Sequence, residues 1–101
     1  MTRRVRWTRL AEQDALDIYL YIARDNAEAA EKLLRRFDET LMNLLEHLGL
    51  GVRQPRYGDG VRSFLVSSYI LFYREVKAGI ELWRIIHGKR HIPSILTRYE
   101  G

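Results

Sequence analysis

Residues Val61 to His91 constrain the fold more than any other stretch of this chain: V-R-S-F-L-V-S-S-Y-I-L-F-Y-R-E-V-K-A-G-I-E-L-W-R-I-I-H-G-K-R-H. The stretch is dense in β-branched and aromatic residues and is punctuated twice by pairs of small residues, Ser67-Ser68 and Ala78-Gly79. Strand propensity and two-residue turns predict three consecutive antiparallel strands, Val61–Val66, Tyr69–Lys77 and Ile80–His87, with Gly88 ending the last. Successive side chains of a strand point to opposite faces. In the middle strand Ile70, Phe72 and Val76 share one parity, and Tyr69, Leu71 and Tyr73 share the other. An antiparallel sheet with one wet face alternates cleanly between apolar and polar, and this one does not. Both faces therefore need covers. One is expected from the chain itself and the other from a partner.

The cover supplied by the chain precedes the meander. Val5 and Trp7 alternate with Arg4 and Arg6, which reads as a short edge strand over Arg3 to Trp7, its cations guarding the edge. Thr8 is the N-cap of a first helix running to about Asp25, with Ala11, Ala15, Ile18 and Ile22 as its core stripe. Tyr19 and Tyr21 are amphipathic rim residues, and Asp14 and Asp17, three apart, read as a solvated face. Asn26 caps a second helix whose stripe is Ala30, Leu33, Leu34, Phe37, Leu41, Leu44, Leu45 and Leu48; it spans about 22 residues, roughly 33 Å, and Gly49 is its C-cap. The two helices form an αα-hairpin. Gly49 to Gly60 reads as a connector, and its glycines match no phosphate-cradling spacing. The tail from Gly88 to Gly101 is basic, and Pro93 keeps it from extending the last strand. The expected fold class is α+β: an N-terminal strand, an αα-hairpin, then a three-stranded antiparallel meander, in one domain over 1–101.

Several kinds of chemistry are excluded by what the chain lacks. It has no Cys, hence no disulfide and no thiolate metal site, which fits a reducing cytosol. The three histidines have no metal-ligand spacing, so no metal is expected. No nucleophilic triad pattern, Walker motif or dinucleotide glycine motif is present, so no cofactor is expected. No apolar run reaches the roughly 20 residues of a membrane span, and no signal core follows the basic N-terminus. A net charge of +4 suits contact with nucleic acid and equally an acidic protein partner.

The residues that demand explanation are charged groups inside apolar strands: Arg62, Arg74 and Arg84. One reading has each snorkel or pair with Glu75 or Glu81. The other has the guanidiniums line an open face that receives phosphate or carboxylate groups. An RNA-cutting site can be assembled from such parts, with Arg62 and Arg84 stabilising developing charge and His87 or Tyr99 transferring a proton. In a purely binding role, Arg62, Arg84, Lys89, Arg90, His91 and Arg98 would serve as target contacts, and Tyr19, Tyr21, Phe72 and Trp83 as apolar contacts for a protein partner.

The order of elements resembles the RelE/ParE superfamily of toxins from type II toxin–antitoxin modules, over nearly the whole chain. The opening of helix two, N-A-E-A-A (Asn26 to Ala30), is similar to the family's N-P-E-A-A, with Ala27 in place of Pro. The blocks Val61 to Arg74 and Trp83 to Arg90 resemble the ParE branch most. The family's Pro before a Gly after helix two is replaced here by Gly49, Leu50 and Gly51. The resemblance implies a cytoplasmic toxin neutralised, in a hetero-oligomer, by a cognate ParD-like antitoxin. It further implies inhibition of DNA gyrase, or in the RelE branch ribosome-dependent cleavage of mRNA. Arg62 and Arg84 match the two sheet arginines shared across the superfamily; the RelE-type lysines have no counterpart, since the loop before the meander offers Arg53 and Arg56.

Overall fold

The structure is a computed structural model that describes residues 2–97. Strand β1 (Arg4–Trp7) leads through Thr8 into helix α1 (Arg9–Ala23). Thr8 caps it as expected: its Oγ1 accepts from the Ala11 N–H at 3.0 Å, and the same hydroxyl donates to the Trp83 carbonyl at 2.7 Å. One residue thus starts the helix and ties it to the sheet. Asn26 caps helix α2 (Ala27–Glu46) through the Ala29 N–H at 3.0 Å. The helix stops at Glu46 with His47 as its C-cap; Gly49, expected there, lies instead within a single 3₁₀ turn, Leu48–Leu50.

Among the described residues the strands form one sheet of five in the order β1-β5-β4-β3-β2. Strands β3 (Val61–Val66), β4 (Tyr69–Val76) and β5 (Gly79–His87) are the expected meander. It is extended on both sides. The N-terminal strand β1 joins β5 in parallel, and β2 (Val52–Arg53), in what reads as a connector, pairs antiparallel with β3. The turn between β4 and β5 is Lys77-Ala78 rather than Ala78-Gly79, because Gly79 already pairs with Val76. A side chain at position 79, where φ is +148°, would collide with the carbonyl oxygen of Arg4, so glycine is what lets β1 dock.

The apolar stripes of α1 and α2 lie on one face of the sheet. Ala11, Ala15 and Ile18 meet Phe37, Leu41 and Leu44, and both sets pack on Leu71, Tyr73, Ile80, Leu82 and Ile85. The opposite face is not left for a partner, contrary to expectation. Tyr57, from the segment before β3, and Leu96, from beyond the short helix α3 (Ile92–Ile95), bury Val61, Phe72, Trp83 and Ile86 in a second core. A bulge in β5 decides which of its residues face which core. Phe72 pairs with Arg84 and Tyr73 with Leu82, so Trp83 is the extra residue. The insertion resets the alternation: Ile80 and Leu82 before it and Ile85 after it serve the helical core, while Trp83 and Ile86 serve the other.

Candidate functional site

The sheet arginines do not converge. Strand β4 separates Arg62 on β3 from Arg84 on β5, and their guanidiniums reach outward to opposite flanks. Arg62 donates to the Gly51 carbonyl at 2.9 Å. Beside it the Tyr73 hydroxyl donates to the Leu48 carbonyl at 3.1 Å, and a side chain at Gly51 would overlap that hydroxyl. Burial pushes the Tyr73 phenol above its ordinary range, against the smaller lowering effects of Gly51 and Arg62. These groups border a cavity of about 520 Å³ whose cations, Arg53 and Arg62, face the carboxylates Asp59 and Glu75.

Arg84 is committed elsewhere. Its Nε and Nη2 donate to the two carboxylate oxygens of Asp14 at 2.8 and 3.0 Å, a bidentate fork. Asp14 Oδ2 also accepts from the Ile85 N–H at 2.9 Å. The reason lies in the sheet. Strand β1 pairs with β5 only as far as Trp7 and Leu82, so beyond that point β5 has an open edge. The Thr8 amide and hydroxyl satisfy the Leu82 and Trp83 carbonyls, and Asp14 satisfies the Ile85 amide. Helix α1 thereby takes over where the strand stops. Asp14 is therefore no solvated residue; its side chain is 14% exposed. Neither Glu75 nor Glu81 is the partner of Arg62 or Arg84: Glu81 pairs with Arg6 at 3.3 Å and Glu75 with Arg3 at 3.9 Å.

The remaining candidates separate into three places. His87 ends β5, its ring edge-on to Tyr69 at 5.1 Å, and its Nδ1 accepts from the Lys89 N–H at 3.1 Å. Tyr69 in turn meets Phe37 edge-on at 6.0 Å; burial first, then Tyr21, pushes its phenol up. Lys89, Arg90 and His91 follow on the surface. Tyr21 is 70% exposed on α1, with Leu16 and Leu20 exposed on the same helix, and Tyr19 is half-buried. Phe72 and Trp83 are buried in the second core, so a partner reaches them only by displacing the segment around Leu96. Arg98 and Tyr99 lie outside the described residues. Sequence reasoning missed Asp14 as the partner of Arg84, and the one available signal was a carboxylate one turn from the core stripe of a helix abutting the sheet.

Among the described residues no helix is long and apolar enough to cross a membrane. Residues 5–92 match the model of a family described as the ParE toxin of type II toxin-antitoxin system, parDE. The chain is also similar to a solved structure described as "Chromosomal ParDE TA system from P. aeruginosa", at 25% identity and a TM-score of 0.68, over 85% of this chain and 96% of that one. No curated protein matches it.

Proposed function

Because the chain belongs to the ParE family of toxins from type II toxin–antitoxin systems, we propose that it poisons DNA gyrase and is held inactive by a ParD-like antitoxin. The whole chain, 1–101, acts in this reading as one toxin domain in the cytoplasm. The observation that carries the choice of target is the bidentate grip of Asp14 on Arg84. Cleavage of mRNA at the sheet arginines needs both guanidiniums gathered around one phosphate with an acid or base beside them. Here Arg84 is neutralised by a carboxylate, and Arg62 is turned to a backbone carbonyl on the other flank. Inhibition by docking needs no such convergence. Lys89, Arg90 and His91 at the end of β5 are exposed and suit contact with a target.

The antitoxin reading draws on exposed apolar surface. Leu16, Leu20 and Tyr21 on α1 stand half or more open to solvent. An amphipathic segment that folds on binding fits such a surface, and acidic residues in it would complement the chain's net charge of +4. The test places purified toxin with gyrase and relaxed plasmid, beside a translating ribosome with a defined message. Supercoiling should fail in the first tube and return when antitoxin is added, while the message stays whole. Normal supercoiling together with cut message would replace gyrase by mRNA as the target.

A further inference from the structure

A groove of about 460 Å³ opens between the start of α2 and the β3–β4 turn, away from both sheet arginines. Its polar lining comes from three separate parts of the chain: Lys32 and Arg36 on α2, Ser67, Ser68 and Tyr69 at the turn, and His87 at the end of β5. Lys32 and Arg36 are four residues apart and so lie on one helical face, where like charges repel. Among the described residues neither makes an ion pair, unlike Arg3, Arg6 and Arg84, which pair with Glu75, Glu81 and Asp14. No carboxylate lines the groove, whereas the cavity beside Arg62 contains Asp59 and Glu75.

The other groups are also arranged to donate. The Ser68 carbonyl accepts from the Gly88 N–H at 2.8 Å, and the Ser67 and Ser68 hydroxyls, each able to donate, belong to residues that line the groove. Because His87 Nδ1 accepts from the Lys89 N–H, the neutral ring carries its proton on Nε2, which makes that nitrogen a donor. Ile22 and Leu33 supply its apolar walls.

We propose that this groove holds a phosphodiester of a nucleic-acid backbone. Two cations four residues apart on α2, with serine hydroxyls and an imidazole on the other walls, suit a phosphodiester, whose negative charge is shared by two non-bridging oxygens, and a polynucleotide presents such groups in series. The groove is separate from both sheet arginines, so its occupant does not depend on which macromolecule the toxin attacks.

The experiment measures anisotropy of a labelled single-stranded DNA, and of its duplex, titrated with the full chain at low salt. Lys32 and Arg36 are exposed, so Lys32→Gln with Arg36→Gln leaves the core intact. That double variant should weaken binding about tenfold and flatten the salt dependence by about one unit of slope per cation. A control with the same charge loss, Arg9→Gln with Arg35→Gln, should stay within about twofold of the parent. Equal loss in both variants would mean diffuse charge attraction and overturn the proposal. So would tighter binding of a polyglutamate peptide than of either DNA. Inorganic phosphate should shift the amide resonances of Ser68, Tyr69 and His87; shifts with phosphate but none with DNA would leave a free-anion site and defeat the nucleic-acid assignment.

Discussion

Two residues show how far a single side chain can carry the fold. Asp14 holds Arg84 by two hydrogen bonds and the Ile85 amide by a third, in a setting where both side chains are about 15% exposed. Removing either partner leaves a poorly solvated charge, a cost between that of an exposed pair and a fully buried one, about 1–3 kcal/mol. Asp14→Ala should cost more than Arg84→Ala, because it also orphans an edge amide. Denaturant melts of both single variants and the double variant check this. The two changes should be less than additive, and strict additivity would show that the pair is not energetically coupled. Ser67 makes the opposite prediction. Its φ of +56° is a left-handed conformation that costs a residue with a Cβ about 1 kcal/mol or more. It occupies the first position of the two-residue turn between Val66 and Tyr69, where glycine is preferred. Ser67→Gly should therefore raise the free energy of unfolding, by up to about 1 kcal/mol after the entropic penalty of glycine. That gain should be visible in the same melts.

At the scale of elements, local signals were legible and distant ones were not. Thr8 and Asn26 could be named as caps because a cap bonds within its own first turn. The strands of the meander were found within a residue or two because propensity and turn chemistry are local. The role of Asp14 was invisible because its partner is 70 residues away and the need for it arises only where β1 runs out. The apolar surplus of the meander is legible in the sequence, whereas the chain's own Tyr57 and Leu96 as its second cover are not. Nothing local says that Trp83 is a bulge, or that Tyr57 and Leu96 fold back to meet it. The tail is consequently more than a basic appendage. Leu96 is 4% exposed, and replacing it by Ala should cost about 2–4 kcal/mol, as for other core truncations. A rise in Trp83 fluorescence quenching by iodide would accompany the loss. If Leu96→Ala melted like the parent, the second core would contribute little and the tail would be free to serve a partner.

At the scale of the molecule, charge and topology act separately. The net charge of +4 governs encounter with partners and says nothing about the fold. The fold depends on one long-range closure. Strand β1 stands at the beginning of the chain yet pairs with β5, whose residues come more than 70 positions later, in the register Arg4 to Gly79 and Trp7 to Leu82. Only the αα-hairpin can form from what precedes the sheet, and pairings between distant parts of a chain are slow. During synthesis the first strand therefore has no partner until Gly79 to Leu82 have left the ribosome. A message broken before Gly79 therefore yields a product whose first strand has no edge to join and whose sheet cannot close.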